Sequence, residues 1–339
     1  MTPLFMWAGG KNKLINNHYG PFLPERFDKY HEPFFGGGAM FIWAYKTNPT
    51  AKFYLNDINH DIVKVYQTIR DDVVNFTNMV DNFESKYLSL APPKMKDTSS
   101  GKIVWIDHPV GMKDSNLEAR YKLPKNKYDW HKIYAEKQTR RTFFFKTRQM
   151  YQQDYASWTK TEEAAALYFL MKTAFNGVWQ LGKDEYGRFN TPCGLMRHED
   201  RIYDKTNVME WHAALQNCTI TSDDFSKTLG SIGNGSYVFL DPPYRSASET
   251  ERTFADYGTE LGDKFQEKVL DFFHQSWNNG AYSLLSNRDW QDNFFENRNK
   301  GCKIKYFDVT YTVGRKKKQE DNTHTATKAR EILMIGGRP

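Results

Sequence analysis

Four residues late in the chain, Asp241-Pro242-Pro243-Tyr244, follow the apolar run Tyr237-Val238-Phe239-Leu240. Two prolines fix the backbone of such a turn, which then sets a carboxylate, a backbone carbonyl and an aromatic face side by side. Ligands of open α/β sheets bind where strands end, so this set suits a planar substrate bearing an amino group, and adenine fits that description. The plainer reading is a proline-rich turn capped by Asp, with Tyr as a surface ring. Far upstream stands Glu32-Pro33-Phe34-Phe35-Gly36-Gly37-Gly38-Ala39-Met40-Phe41. Its glycines let a ligand approach the backbone closely at a strand-to-helix turn. The spacing is not G-x-G-x-x-G and no Walker lysine follows, which disfavours dinucleotides and triphosphates. Leu55-Asn56-Asp57-Ile58-Asn59 then places an acid near where a ribose hydroxyl pair would lie. A nucleoside cofactor without a pyrophosphate is suggested; a glycine-rich start of a helix and an Asp N-cap are the alternatives. Trp7-Ala8-Gly9-Gly10-Lys11 would lay a ring and an ammonium over a small zwitterionic ligand, Lys11 pairing with its carboxylate. By itself that motif is weak.

Positioning these groups requires strands. Lys29 to Phe34 and Lys52 to Leu55 are short, aromatic and β-compatible, each followed by a turn and a helical pattern, which reads as β-α-β. Tyr237 to Leu240 and Tyr282 to Leu285 are core-type strands, and Ile304 to Val313 with Glu331 to Ile335 suggest an antiparallel pair ending the sheet. Between Asp71 and about Lys160 the texture turns to Lys, Asp, Tyr and Gln with no buried-strand pattern, as in an inserted, partly helical region. An amphipathic helix is expected near Glu162 to Phe175, then a glycine-punctuated stretch to Gly194 of hairpin type.

The 339 residues are 39% hydrophobic and 26% charged, which excludes bulk disorder. A net charge of +6 with 16% aromatics suits an anionic partner that stacks. Cys193, Cys218 and Cys302 lack CxxC pairing, so a reduced, cytoplasmic compartment is expected, and the histidines show no ligand spacing, so no metal is. No run approaches about 20 apolar residues, and the N-terminus lacks a signal-peptide pattern, so no membrane is expected.

With these four motifs in this order the chain resembles the Dam-type, alpha-group DNA adenine methyltransferases, whose motifs run WAGGK, EPF-x-G-x-G, NDIN, a target-recognition region and DPPY. They stand at Trp7 to Lys11, Glu32 to Gly38, Asn56 to Asn59 and Asp241 to Tyr244. Phe175-Asn176-Gly177 with Gly187-Arg188-Phe189-Asn190-Thr191-Pro192-Cys193-Gly194 is similar to the family's N-G-L…G-x-F-N-x-P-x-G segment, and Ser222-Asp223-Asp224-Phe225 to its D-F motif.

The resemblance implies a Rossmann-like α/β methyltransferase sheet with an inserted, mainly helical recognition domain, S-adenosylmethionine as cofactor, and the 6-amino group of adenine in double-stranded DNA as acceptor. By carry-over Trp7 and Lys11 hold the methionine part, Phe34, Gly36 and Gly38 the pocket, Asp57 the ribose, and Asp224 with Phe225 the cofactor's adenine. Asp241, Pro242 and Tyr244 receive a flipped-out base, with Asp241 also facing the cofactor. Asn176, Val178, Gln180, Arg188, Asn190 and Pro192 fall in the DNA-reading segment. Gln180 stands where the family commonly has an arginine; guanine favours Arg and adenine Gln or Asn, so GATC is not assumed. Residues 1–67 and 207–339 are expected to form the catalytic domain and 68–206 the recognition domain, with an extra insert near 88–137. Arg140, Arg141 and Arg148, interleaved with Phe143-Phe144-Phe145, are expected to track phosphates, as are Arg315, Lys316 and Lys317; a solvated helix face and a solvated turn are the plainer readings. The expected form is a monomer or weak dimer in a bacterial or phage-infected cell. Rival readings are methylation of RNA adenine or of a protein glutamine amide, and a silent DNA-binding protein. Asp at position 241 favours a nucleobase over an amide, and intact Lys11, Asp57 and Asp241 argue against silence.

Overall fold

Short β-branched and aromatic runs bounded by turns build one seven-stranded sheet. The computed structural model describes residues 1–7, 10–91, 94–96, 103–105, 129–182, 187–194, 200–246, 262–311, 317–318, 324–325 and 327–338. The strands are β1 (Lys29–Glu32), β2 (Lys52–Asn56), β3 (Cys218–Thr221), β4 (Ser236–Leu240), β5 (Tyr282–Asp289), β6 (Lys303–Tyr311) and β7 (Thr327–Gly336), in the order β3-β2-β1-β4-β5-β7-β6. β1 to β5 run parallel, while β7 is antiparallel to both β5 and β6. This is the Rossmann-like sheet with an antiparallel C-terminal pair that the sequence led us to expect. β4 is buried along its whole length, as a central parallel strand covered on both faces must be. The chain moves outward from β1 through β2 to β3 and then returns to the other side of β1 with β4. That reversal opens a crevice at the carboxyl ends of β1 and β4.

The chain divides into two compact units, Met1–Arg70 with Glu210–Pro339, and Asp71–Met209. Among the described residues the α-helices of seven or more residues are α1 (Ala39–Thr47), α2 (His60–Asp71), α3 (Val73–Ser89), α4 (Trp130–Glu136), α5 (Arg140–Gln153), α6 (Lys160–Thr173), α7 (Lys205–Leu215) and α8 (Asp263–Asn278). In the sheet unit α2 buries Ile62, Val63, Val65, Tyr66 and Ile69, one face at helical spacing. α8 packs Val269, Leu270, Phe272 and Phe273 against Val238, Leu240, Leu285, Ile332 and Met334 of the sheet.

In the Asp71–Met209 unit, α5 and α6 each begin with a reciprocal capping box, Thr139 with Thr142 and Thr159 with Glu162. α6 differs from the amphipathic helix expected: it is buried continuously from Glu163 to Met171, because it forms the centre of its unit and not an edge. Two short strands, Lys94–Lys96 and Ile103–Trp105, pair antiparallel where no buried-strand pattern was legible. Apart from these strands, 88–91 and 129–137, the insert near 88–137 lies outside the described residues. From Phe175 to Gly194 the chain folds back as an irregular hairpin, with bridges Leu181 to Phe189 and Ala174 to Cys193. No helix among the described residues is long and apolar enough to cross a membrane.

Candidate active site

At the end of β1 the chain passes Pro33 and Phe34 into a turn where Gly36 and Gly38 adopt φ of +47° and +67°, the left-handed region that glycine occupies at least cost. A Cβ on Gly36 would lie 2.7 Å from Trp7 Nε1, and one on Gly37 2.9 Å from Trp7 Cβ. The bare turn is therefore what lets Trp7 rest against it. The Gly36 peptide is held on both sides: its N–H donates to Asp57 Oδ2 at 2.7 Å and its carbonyl accepts the Tyr66 hydroxyl at 3.0 Å. Asp57 Oδ1 accepts the Asn59 N–H at 2.9 Å. Burial raises the Asp57 carboxyl above the usual range, and these two amide donors oppose that rise. Each oxygen keeps a further lone pair, so the group suits a pair of hydroxyls.

Asn56 fixes these strand ends to one another. Its Nδ2 donates to the carbonyls of Pro33 and Asp223, and its Oδ1 accepts from Thr221 Oγ1 and the Asp223 N–H, so β1, β2 and β3 terminate at one buried amide. Reading the motif for its carboxylate passed over this role. The signal was there: a polar amide directly before the acid, at the last position of a parallel strand.

Asp241 follows β4. Its Oδ1 lies 2.9 Å from Lys11 Nζ, with the lysine side chain 5% exposed and the aspartate 22%. Burial pushes the Asp241 carboxyl up to about 6, against the pull of the Lys11 charge and hydrogen bond. The same ammonium stands 4.7 Å from the centre of the Tyr244 ring. In the structure, then, the partner of Lys11 is a protein carboxylate. The Tyr244 hydroxyl meets Ser286 Oγ and Glu331 Oε2, each at 3.0 Å, and Ser286 Oγ also meets the Tyr19 hydroxyl at 2.9 Å. Glu331 and Tyr19 carried no local motif. Glu32 is buried, which pushes its carboxyl well above the usual range although the Tyr30 hydroxyl donates to it at 2.7 Å.

Phe34 lies 5.0 Å from Phe225, ring centre to ring centre, and both rings meet Phe265 of α8. Phe225 is buried, and Asp224 is an exposed N-cap whose Oδ1 accepts from the Ser226 N–H at 2.9 Å. Pro242 is buried beside Asp241. The glycine turn, the paired acceptor atoms of Asp57 and the flat apolar rings together fit a nucleoside bearing a free diol.

Apart from Arg315, Lys316 and Lys317, the DNA-binding candidates belong to the Asp71–Met209 unit, and several face inward. Arg140 is 8% exposed, donates to the carbonyls of Leu88 and Leu90 at the end of α3, and lies over the Tyr87 ring. Its guanidinium caps carbonyls at the end of α3, where the expectation had it track phosphates. Arg148 donates to the carbonyls of Asn190 and Thr191, and Arg188 pairs with Glu163 and donates to the Tyr151 carbonyl. Both hold the hairpin to α5 and α6. Val178 is buried, its carbonyl accepting the Thr191 hydroxyl. Arg141 is half-buried over the Phe145 ring. Gln180 and Asn190 remain partly exposed, joined by a 2.8 Å bond from the Asn190 N–H to the Gln180 carbonyl, and Pro192 is exposed. Phe175, which opens the Asn176-Gly177 segment, is 39% exposed on the same hairpin. The side chain of Asn176 is outside the described residues, as are Arg315, Lys316 and the side chain of Lys317. Among the described residues no group of His, Cys, Asp or Glu is disposed to hold a metal.

Three curated relatives are similar along most of this chain. The type II methyltransferase M.MjaIII of Methanocaldococcus jannaschii is 24% identical over 90% of this chain and 90% of its own length. The type II methyltransferase M1.LlaDCHI of Lactococcus lactis subsp. cremoris is 24% identical over 85% of this chain and 81% of its own. The DNA N-6-adenine-methyltransferase of Escherichia phage P1 is 23% identical over 84% of this chain and 29% of its own. The D12 class N6 adenine-specific DNA methyltransferase family matches residues 7–96 and 116–313, a span that contains Trp7, Lys11, the glycine turn, Asp57 and Asp241 to Tyr244. The chain therefore belongs to the D12 class N6 adenine-specific DNA methyltransferases.

Proposed function

We propose that this adenine-specific DNA methyltransferase takes its methyl group from S-adenosylmethionine and delivers it directly to the 6-amino group of an adenine flipped out of duplex DNA. The observation that carries this reading is the Lys11–Asp241 pair at 2.9 Å beside the Tyr244 ring, at the crevice between β1 and β4. When bound, S-adenosylmethionine supplies an electrophilic sulfonium methyl. Asp57 would accept the two ribose hydroxyls, Phe34 and Phe225 would flank the cofactor's adenine, and Trp7 would close over the glycine turn.

An adenine within a duplex cannot reach such a crevice, so the base has to leave the stack at a cost of a few kcal/mol. Stacking on Tyr244 recovers about 1–3 kcal/mol of that cost. Asp241 and the Pro242 carbonyl would accept hydrogen bonds from the amino group and thereby aim the nitrogen lone pair; as the nitrogen–methyl bond forms the methyl–sulfur bond breaks, the thioether leaves, and the surplus amino proton passes to Asp241 or water. Positioning and acceptor electrostatics supply the rate enhancement, with no covalent enzyme intermediate. Stacking on the ring face beside Lys11 requires the ammonium to shift, and an incoming carboxylate offers it an alternative partner.

In this reading the unit of Met1–Arg70 and Glu210–Pro339 carries the transfer. The Asp71–Met209 unit reads the DNA, with Gln180, Asn190 and Pro192 presented by the hairpin. Single-molecule sequencing of DNA from a methylation-free host expressing the protein tests it. Methylated adenine in a defined sequence context is expected. No modified adenine, from protein that binds S-adenosylmethionine, moves the acceptor to RNA or protein and overturns the reading.

A further inference from the structure

Behind Tyr244 lies a buried relay of two side-chain amides that the chemistry above does not use. Gln266, in the first turn of α8, is fully buried. Its Nε2 donates to the Pro243 carbonyl at 2.9 Å, and its Oε1 accepts from Asn287 Nδ2, also at 2.9 Å. Asn287, buried at 0% exposure on β5, accepts at Oδ1 the backbone N–H groups of Arg245 at 3.0 Å and Arg288 at 2.8 Å. The relay therefore grips the peptide that precedes Tyr244 by its carbonyl and the peptide that follows it by its N–H. A carbonyl at one end and an N–H at the other leave one assignment of oxygen and nitrogen for both amides, so the chain of bonds has a fixed polarity.

The neighbouring contacts share this purpose. One turn back on the same helix face, Asp263 meets Arg245 Nε at 2.6 Å, and the Arg245 guanidinium also pairs with Asp292 and covers the Phe294 ring at 4.1 Å. Trp290 Nε1 donates to the Arg245 carbonyl at 2.8 Å. Asp292 stands between Gln291 and Asn293, whose φ of 60° and 57° mark a loop held in a costly conformation by what surrounds it. Prolines at 242 and 243 fix local dihedrals, but they do not decide where the ring sits against the rest of the sheet.

We propose that Gln266 is a positioning residue for methyl transfer: with Asn287 it sets the Tyr244 ring, touching neither base nor cofactor. The proposal rests on Tyr244 being the platform for the target base.

Gln266→Met keeps the length of the side chain and removes both ends of the relay. In single-turnover assays with S-adenosylmethionine and unmethylated genomic DNA it is expected to lower the rate about 10–100-fold, the scale of a misplaced reacting group. Affinity for S-adenosylmethionine should stay within about twofold of the parent. In a Tyr244→Ala background the same substitution should cost less than about twofold more, since no ring is left to place. A parent-like rate in the single variant overturns the proposal, and so does a full additive loss in the Tyr244→Ala background, which marks a general structural role. If Gln266→Met loses its cooperative melting, Asn287→Ala takes its place in the same cycle, where additivity again overturns the proposal. Failure of the underlying reading looks different: Tyr244→Ala alone would then leave the rate unchanged, and the positioning role would fall with it.

Discussion

In the unit of Met1–Arg70 and Glu210–Pro339, polar side chains gather where parallel strands stop, with Asp57 just past β2 and Asp241 and Tyr244 just past β4. In the Asp71–Met209 unit the comparable polar groups turn inward: Arg140, Arg148 and Arg188 all donate to backbone carbonyls of their own unit. Strand ends and helices create different needs. A parallel ladder satisfies its own backbone, so residues just past its carboxyl edge are free to face a ligand. Helix ends and an irregular hairpin leave carbonyls without partners, and a guanidinium on a long stem reaches them readily. Basic residues interleaved with aromatics therefore describe a nucleic-acid face and an internally braced helical unit equally well.

Breaking the brace in the helical unit should have the largest effect. Glu163→Ala removes the carboxylate paired with the largely buried Arg188 guanidinium and should lower stability by about 3 kcal/mol, read as an earlier denaturant midpoint. At the strand edge, Asp241→Ala should slow methyl transfer about 10²–10³-fold while S-adenosylmethionine still binds, measured by single-turnover incorporation. Loss of cofactor binding with the transfer rate intact would reverse the role assigned to that carboxylate.

Arg140→Met sharpens the contrast further. It should cost about 1–3 kcal/mol of stability through the Leu88 and Leu90 carbonyls, with the salt dependence of DNA binding unchanged. An arginine that contacts phosphate would instead lower the salt slope by about 1. The smallest effect is one of pH. The Asp241 carboxyl is raised to about 6, and its ionised form is the better acceptor, so kcat/KM should rise as pH passes upward through about 6 and level off above it. The stability contribution has the opposite sign. A carboxyl whose folded value exceeds its free value favours folding when protonated, so its contribution is complete below about pH 4 and is lost as pH rises through about 6. Thermal melts between pH 4 and 7 on the parent and on Asp241→Asn isolate that contribution.

The strands that carry the motifs were legible within a residue or two at several ends: Lys29 and Lys52 begin β1 and β2 as read, and β4 gains only Ser236. Apolar periodicity and proline or glycine punctuation suffice there because local sterics and burial agree. α6 was read as amphipathic from its hydrophobic periodicity, whereas its burial from Glu163 to Met171 depends on which helices surround it. The hairpin after Phe175 was legible from its glycines, but the direction of Arg148 and Arg188 was not.

The same division runs through the site. Motif order in the sequence determined the family resemblance and the candidates Asp57, Asp241 and Tyr244, because each motif is a local solution to ending a strand beside a ligand, and apolar runs determined the sheet with its antiparallel end. Only the tertiary structure decided that Lys11 pairs with Asp241, that Asn56 ties three strand ends together, and that Ser286, Glu331, Gln266 and Asn287 hold Tyr244. These contacts join residues far apart in the chain, and no local pattern encodes them, because a buried hydrogen bond needs a partner at about 3 Å whatever its sequence distance.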